Sequence, residues 1–365
     1  MRNSWMSARV LAVSLICGTA WGAGSPRFPA GAVWHQNISA AAVHPNSAQM
    51  ISTLSGLGGW GNSNRMQIDF SLHVRTVASG EHPPHVPLSE HPWGYYLPDC
   101  DALSLQVPVP ADAAIEGQDG LSCDNTNEDC HLLIVEDDTL YELYATNLVA
   151  GALQTMCLAR WDLTQVYPPQ GRGEHCTSAD AAGFPIAPLL PNVDDVVAAM
   201  SVPDGDLGHA IRFILPNARM ASDASLGGTS GRLYVRPATH AGGPSGPKES
   251  VPYGVRMRLR ADFDMSGYPP ASQAILRTMQ RYGIVLADGG NIALTFESDK
   301  FTTAKWSDLG IDSHMFWNGS VGNRTPVKVT DFAVVDTGPR IAETYECVRT
   351  PITPGQGVFA DGFES

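Results

Sequence analysis

The stretch that most constrains the fold runs from residue 209 to 288, because strand and helix patterns follow one another there without long gaps. Its first segment, 209–216, alternates apolar residues on one face. The clearest strand pattern covers 255–265, where apolar and charged residues alternate through eleven positions. A helix pattern follows at 271–282 and is ended by Gly283. This order of elements predicts a domain built mainly from strands, with helices packed beside them.

The rest of the chain predicts short strands joined by turns, in keeping with its 36 glycines and 27 prolines. The clearest example is a hairpin at 131–146 that turns at Asp137-Asp138. The fold class expected is mainly β, with α+β as the alternative, in the form of a β-sandwich or jelly-roll-like single domain with a few peripheral helices. Further elements are expected as helices at 47–57 and 193–200, and as strands at 66–77, 152–163, 232–235, 284–287, 292–296 and 327–335.

The first 22 residues have the pattern of a secretory signal peptide. Arg2 and Arg9 provide a basic start, a short apolar core follows, and small residues precede a cleavage site after Gly22. The apolar core is too short to span a membrane. We therefore expect a secreted, periplasmic or cell-surface protein with a single β-rich domain at 23–349 and a linker with a short C-terminal tail at 350–365.

The chain is acidic, with a formal net charge of −14, and loss of Arg2 and Arg9 with the signal peptide makes it two units more negative. Such a surface repels nucleic acid and anionic lipid. The expected partner is a polysaccharide or oligosaccharide, with no nucleic acid and no membrane span. The sequence leaves the oligomeric state open.

Six cysteines remain after the signal peptide, an even number that predicts disulfides in an exported protein. Cys123 and Cys130 are close enough to close a small loop. For the others, one pairing among several is Cys157 with Cys176 and Cys100 with Cys347. Zinc is the alternative, although the chain has no C-x-x-C pair.

Histidines and carboxylates at strand ends and turns are the candidate site residues. A pair of carboxylates across a cleft suits glycoside hydrolysis, and the expected pair is Glu142 and Asp180. The alternatives are an exposed strand residue for Glu142 and a turn or helix cap for Asp180. Residues expected at the site are His209 and His240 in catalysis, and His131, Trp93, Tyr95, Arg256 and Asp288 in substrate binding.

No resident cofactor or metal is expected, but two metal hypotheses are open. One places a transition metal on His131, His209, His240 and Glu142. The other places Ca²⁺ in the loop closed by Cys123 and Cys130, which contains Asp124, Asn125, Asn127, Glu128 and Asp129. The histidine-rich and proline-rich segment at 80–99 is interpreted as an extended surface loop rather than a ligand set.

The charged face of segment 255–265 has two interpretations. Its arginines, Arg256, Arg258 and Arg260, could hold an acidic sugar, or they could form an exposed ladder of ion pairs with Asp262 and Asp264.

The chain contains no G-x-S-x-G elbow, Walker A loop, H-E-x-x-H or dinucleotide fingerprint that follows a strand. Serine hydrolases, P-loop NTPases, zinc proteases of that type and Rossmann enzymes are therefore poor matches.

From about Cys130 to Asp336 the chain resembles a family of secreted bacterial proteins. The shared segments include H-A-I-R-F at His209, P-A-T-H ending at His240, G-V-R-M-R-L from Gly254, and Y-G-I-V-L-A-D ending at Asp288. The family pattern has D-P-x-W where this chain reads D-K-F-T-T-A-K-W, from Asp299 to Trp306. The resemblance implies a shared fold and a shared set of polar residues. It implies no particular reaction. The tail V-F-A-D-G-F-E-S is similar to a C-terminal tag of secreted Gram-negative proteins.

Taken together, these features predict a secreted carbohydrate-active protein that acts on or binds extracellular polysaccharide. If it is an enzyme, we expect a carboxylate-dependent glycoside hydrolase or lyase. The alternative is a non-catalytic structural or adhesion protein of the bacterial cell surface. An enzyme should gather carboxylates and histidines in one deep cleft, whereas a structural protein should not.

Overall fold

The computed structural model describes residues 27–124, 129–319 and 324–350. The expected signal peptide, the C-terminal tail from 351 and part of the proposed Ca²⁺ loop lie outside these ranges. Within them, no helix is long and apolar enough to cross a membrane.

Four α-helical segments are present in the described residues, besides short 3₁₀ turns. They are α1 (Ser47–Gly56), α2 (Gly61–Asn64), α3 (Val193–Met200) and α4 (Pro270–Arg281). Segment α2 contains residues with positive φ and is closer to a turn. Helix α3 begins where predicted, because the Asn192 side chain accepts hydrogen bonds from two backbone N–H groups of its first turn. Helix α4 packs on α3 and buries its apolar face.

The strands are short, as the glycine and proline content predicts. In the described residues they are β1 (Ile68–Leu72), β2 (Val74–Thr76), β3 (His85–Glu90), β4 (Gln106–Pro108), β5 (Leu132–Glu136), β6 (Thr139–Tyr144), β7 (Asn147–Val149), β8 (Ala152–Thr155), β9 (Cys157–Asp162), β10 (Gly173–Glu174), β11 (Ile211–Leu215), β12 (Leu233–Tyr234), β13 (Arg256–Leu259), β14 (Ile284–Gly289), β15 (Leu294–Glu297), β16 (Phe332–Val334), β17 (Ile341–Ala342) and β18 (Val348–Arg349). The predicted mainly β chain with a few helices is confirmed.

Three sheets form the body of the molecule. The six-stranded sheet has the order β1-β15-β11-β14-β13-β16, the hairpin sheet has the order β2-β5-β6-β9, and the outer sheet has the order β4-β3-β8-β7. Each of them mixes parallel and antiparallel pairs. In the six-stranded sheet, β11 and β14 are parallel neighbours, so their carboxyl ends lie at the same edge.

The hairpin sheet is buried on both faces. Leu133 and Val135 of β5 point into the main core, whereas Leu132 and Ile134 point into a second, smaller core shared with the outer sheet. Glu142 of β6 pairs directly with Leu133, so its carboxylate lies on the main-core side. Two-sided burial explains why this strand pair is nearly continuous in apolar residues.

Two local predictions were wrong. The strand expected over 255–265 ends at Leu259, and the chain then turns. The segment 80–99, expected to be a loop, contains strand β3, which pairs with both β4 and β8. Strand β3 lies between β4 and β8, and its Pro87 falls in the half that pairs with β4 alone, so the missing N–H removes only one donor from the sheet.

The charged face of β13 also differs from both interpretations of the sequence. Arg256 is only 2% exposed and donates hydrogen bonds to the carbonyl oxygens of Val33, Gln36 and Tyr282 at 2.7–3.0 Å. The next outward arginine, Arg258, donates to carbonyl oxygens at 38–41. These side chains tie the N-terminal segment to the sheet and leave no sugar-binding face. Of the expected exposed ladder, only the surface ion pair of Arg260 with Asp262 is present in the described residues.

Three disulfides are formed in the part of the chain that the structure describes, and one of them was paired correctly. Cys123–Cys130 closes a small loop as predicted. The other two are Cys100–Cys157 and Cys176–Cys347 rather than the predicted Cys157–Cys176 and Cys100–Cys347. Proximity in sequence favoured the Cys157–Cys176 pair, but β9 carries Cys157 toward the loop that follows β3.

Candidate functional site

A cleft with a volume of about 590 Å³ opens where several loops meet the carboxyl edge of the β11–β14 pair. Such an edge often carries ligand sites, because loops from different strands converge there. Asp288 and Gly289 lie at the end of β14, and Asn217 follows β11 by two residues. A Cβ added at Gly289 would lie 2.7 Å from the Asn217 Oδ1, so glycine lets the two segments approach.

Tyrosines make up much of the cleft wall. Five line it: Tyr95, Tyr96, Tyr144, Tyr253 and Tyr345. The rings of Tyr96 and Tyr144 are stacked with centroids 6.4 Å apart. Tyr95 is less free, since its hydroxyl donates to the carbonyl oxygen of Asp101 and accepts a hydrogen bond from the Leu158 N–H. The hydroxyl of Tyr345 is also engaged, by the carbonyl oxygens of Ala241 and Gly242, and Tyr253 is only 1% exposed. The wall therefore offers mainly the apolar faces of Tyr96 and Tyr144.

Asp288 is the recessed acid of the cleft. Its carboxylate accepts hydrogen bonds from the backbone N–H of Gly289 at 2.7 Å and of Ala181 at 3.1 Å. Burial and the nearby negative charge of Asp180 raise the pKa of Asp288 to about 7. Near neutral pH this group therefore exists in both protonated and ionised forms, as a proton donor or acceptor in catalysis requires.

His240 lines the same cleft and is 8% exposed. Its Nδ1 lies 2.7 Å from the carbonyl oxygen of Ala181. A carbonyl only accepts, so Nδ1 carries the proton and, in the neutral ring, Nε2 has a free lone pair. No residue in the described ranges makes a hydrogen bond with Nε2.

Asp180 lines the cleft but serves a structural ion pair. Its Oδ2 lies 2.7 Å from a terminal nitrogen of Arg212, and its Oδ1 accepts a hydrogen bond from the Ala182 N–H. Both charged groups are buried, and burial raises the pKa of Asp180 despite the cation beside it. The pair holds the loop at 178–182 against β11 and beneath the cleft.

Glu142 does not reach the cleft. It is fully buried, and its two oxygens accept hydrogen bonds from the backbone N–H groups of Ile186 and Ala187 at 2.8 Å and from the Trp161 indole at 2.9 Å. Burial raises the pKa of Glu142 to about 7. Glu142 and Asp180 were expected to face each other across a cleft. Both carboxylates are buried instead, and only Asp180 lines the cleft.

The remaining predicted residues fall in three places. His131 lies directly behind the cleft wall, where its Nε2 donates to the carbonyl oxygen of Ala179. His209 is fully buried, with its Nδ1 on the Ala210 carbonyl oxygen and its Nε2 without a partner in the described residues. Trp93 is 68% exposed at a turn outside the cleft. Arg256 lies away from the cleft, where it donates hydrogen bonds to the N-terminal segment.

His131 is held as a cation. Its Nδ1 lies 2.9 Å from Oε2 of Glu116, and its Nε2 lies 3.0 Å from the Ala179 oxygen, so both ring nitrogens face acceptors. Burial lowers the pKa of His131, but attraction to Glu116 outweighs it and raises the pKa to about 9. The pair is a supporting ion pair for the loop that carries the cleft residues Ala179 to Ala181.

The structure does not assemble the proposed transition-metal site. Its histidines and Glu142 bond to different partners, and the described part of the chain has no group of three or more potential metal-ligating side chains. Most of the proposed Ca²⁺ ligands lie outside the described residues, and Asp129 lines the cleft.

Several cleft residues were missed by sequence reasoning. These are Asn217, Arg232, Tyr144, Tyr253 and Tyr345, together with Asp129 in its cleft position. Asn217 could have been predicted as a cleft residue, because it follows a predicted strand whose carboxyl end lies beside that of β14. Tyr345 had no such signal, since it comes from a segment far along the chain.

Comparison with protein-family models, with curated proteins and with solved structures found no match for this chain.

Proposed function

We propose that this chain is a secreted protein that acts on carbohydrate, and that the tyrosine-lined cleft is its sugar site. The observation that carries the proposal is the meeting of five tyrosines, the recessed acid Asp288 and the free Nε2 side of His240 in one cavity. Aromatic faces with polar edges suit sugar rings, which have apolar C–H faces and a rim of hydroxyl groups.

Export is part of the same proposal. Three disulfides in a chain of this length are typical of proteins that fold in an oxidising compartment. The basic and apolar pattern of the first 22 residues supports the same location. Extracellular polysaccharide is the substrate class that such a protein meets.

The chemistry proposed is cleavage of a glycosidic bond by hydrolysis or elimination. In hydrolysis, protonated Asp288 donates its proton to the departing glycosidic oxygen. In hydrolysis His240 accepts through Nε2 a proton from the attacking water. In an elimination it accepts the C5 proton of a uronic acid unit, a C4–C5 double bond forms as the C4–O bond breaks, and the departing oxygen takes the proton of Asp288. Asp129, an exposed carboxylate of the same cleft, stabilises positive charge that develops on the sugar.

Asp288→Asn is the test of this assignment. We expect a fall of roughly 100-fold or more in cleavage rate on a polysaccharide panel, because an amide cannot supply the proton. Wild-type activity should also fall as the pH rises through about 7, where Asp288 loses its proton. Reducing-end release, measured beside thermal unfolding, separates lost chemistry from lost folding.

Asp138→Asn is the matched control, since Asp138 is an exposed carboxylate at the β5–β6 turn outside the cleft. It should leave cleavage unchanged. Cleavage that persists in Asp288→Asn would contradict the assignment of the acid. Glycan retention without cleavage would indicate a binding or adhesion protein, and absence of both would refute the carbohydrate proposal.

A further inference from the structure

One cation of the cleft wall has no carboxylate partner. Arg232 lines the cleft, is partly buried, and forms no ion pair within the part of the chain that the structure describes. Its Nη1 donates hydrogen bonds to the carbonyl oxygen of Gly242 and to the hydroxyl of Tyr345. Its Nε and Nη2 make no hydrogen bond with any described residue, so one edge of the planar guanidinium is left for a ligand.

Asn217 supplies a second donor on the same side of the cleft. A Cβ added at Gly243 would lie 3.0 Å from the Asn217 Nδ2, and the preceding residue, Gly242, accepts the hydrogen bond of Arg232. Asn217 is exposed, and its side chain makes no hydrogen bond in the described ranges. A guanidinium edge with an amide N–H nearby suits a carboxylate, which only accepts hydrogen bonds when it is ionised.

Negative and positive charges act at different ends of the cleft. Burial, and then the charge of Asp129, raise the pKa of Tyr144. Burial also raises the pKa of Tyr345, but there Arg232 opposes the rise. Asp129 is exposed and is screened by water and salt, whereas Arg232 is partly buried and is screened less. A ligand carboxylate is therefore attracted to the Tyr345 end.

The buried carboxylate at this end of the cleft is held by other donors. Glu343 is fully buried, and its oxygens accept hydrogen bonds from the backbone N–H groups of Ala241 and Tyr345. One of these oxygens also lies 3.1 Å from Nδ1 of His175. Glu343 therefore leaves the edge formed by Nε and Nη2 of Arg232 unbonded.

Arg232 and His240 lie against the same aromatic ring. The guanidinium carbon of Arg232 is 5.4 Å from the centroid of Tyr345, and the ring centroid of His240 is 5.1 Å from it. A sugar carboxylate bound by Arg232 thus lies on the side of the cleft where the proposed base is found. Pairing this carboxylate with a cation also stabilises the negative charge that develops when the neighbouring C5 loses its proton.

We propose that the cleft takes a uronic acid unit, whose C6 carboxylate is bound by Arg232 and Asn217. This inference rests on the proposed carbohydrate function and names its substrate class. Asp288 does not oppose it, because the protonated form that acts as the acid is uncharged. A neutral sugar leaves the guanidinium edge unpaired, and an amino sugar places a second cation beside it. The net charge of −14 acts from farther away, where physiological salt screens it over about 8 Å.

The test is isothermal titration calorimetry with tetramers that differ at C6. Tetramannuronate is compared with its methyl ester and with β-linked mannotetraose, and tetragalacturonate is compared with its methyl ester. The Asp288→Asn protein is used, so that bound tetramers stay uncut. We expect at least one uronate tetramer to bind roughly tenfold or more tightly than its neutral partners, because a two-nitrogen edge binds a carboxylate strongly.

Arg232→Gln, added to the same protein, should remove most of this preference. Arg232→Lys should retain part of it, since lysine keeps the charge but not the two-nitrogen edge. Arg260→Gln is the matched control, because it removes the same charge from a 45% exposed side chain outside the cleft, and it should keep the preference. Thermal unfolding of each variant checks that the fold is intact.

Three outcomes would overturn the uronate assignment and leave the carbohydrate proposal standing. In the first, neutral tetramers bind as tightly as the uronates in both series. In the second, the preference survives in Arg232→Gln. In the third, both Arg232 variants lose neutral and acidic tetramers alike, which would show that Arg232 only braces the wall. Failure of all five tetramers to bind would contradict both proposals.

Discussion

Glu142 and Asp288 show how the same carboxyl group takes different roles in different surroundings. Both have a pKa raised to about 7, and burial is the largest cause in each case. Glu142 has its oxygens occupied by Trp161 and two backbone N–H groups, whereas Asp288 lines a cavity. A raised pKa therefore identifies a reactive group here only when the carboxyl group is also accessible.

The His131–Glu116 pair gives a prediction at the same scale. In Glu116→Gln we expect the pKa of His131 to fall well below its wild-type value of about 9, because burial then opposes the charge with less compensation. Imidazole ¹⁵N chemical shifts followed through a pH titration measure it. An unchanged pKa would show that Glu116 is not what holds the proton.

The same pair sets a pH window for stability. A histidine whose folded pKa is raised contributes stability fully below its unfolded value of about 6.5, and that contribution is lost as pH rises toward 9. The free energy of unfolding of the wild type should therefore decline over this range. The decline in the free energy of unfolding should be smaller in His131→Gln. Chemical denaturation of both proteins at each pH measures it.

At the scale of elements, β13 acts as an anchor for the N-terminal segment. Arg256 donates three hydrogen bonds to backbone carbonyl oxygens, and its side chain is almost completely buried. If the guanidinium is removed, water cannot reach those carbonyl oxygens to replace it.

Arg256→Met tests this anchor. We expect a loss of about 2–4 kcal/mol in the free energy of unfolding, because buried carbonyls lose their donors, and faster proteolysis near residues 33–41. Arg260→Met is the control, since the Arg260 side chain is 45% exposed and forms only partly solvated ion pairs. Similar losses in the two variants would contradict the anchor.

At the scale of the whole molecule, the three disulfides frame the cleft. Each has a cysteine next to a cleft residue in the chain, namely Asp99-Cys100, Asp129-Cys130 and Cys176-Thr177. The partner Cys347 lies two residues from Tyr345, another cleft residue. The disulfides thus fix loops that have few regular hydrogen bonds of their own.

Replacing each disulfide by a serine pair should destabilise the protein in order of loop length. Loop-closure entropy gives about 5 kcal/mol for Cys176–Cys347, about 4 for Cys100–Cys157 and about 2 for Cys123–Cys130, from separations of 171, 57 and 7 residues. Thermal and denaturant unfolding of the three variants measure the ranking. A largest effect from the Cys123–Cys130 pair would show that folded-state contacts held by that loop, rather than loop-closure entropy, dominate.

The sequence by itself determined the features that depend on near neighbours along the chain. The hairpin of β5 and β6, the Asn192-capped helix α3, helix α4 and the Cys123–Cys130 loop all follow from turn residues, caps and periodicity within about a dozen positions. The sequence also favoured Asp180, His240, Tyr95 and Asp288 as site residues, and the structure places all four in the cleft.

Only the tertiary structure decided the rest. The parallel pairing of β11 with β14, the two long-range disulfides and the arrival of Tyr345 at the cleft join residues far apart in sequence, and no local pattern encodes such contacts. Period-two alternation also fails where a sheet is buried on both faces, and this is why Glu142 looked like a site residue or an exposed one. Its place in the core follows from a second layer of strands that covers the other face of the hairpin sheet.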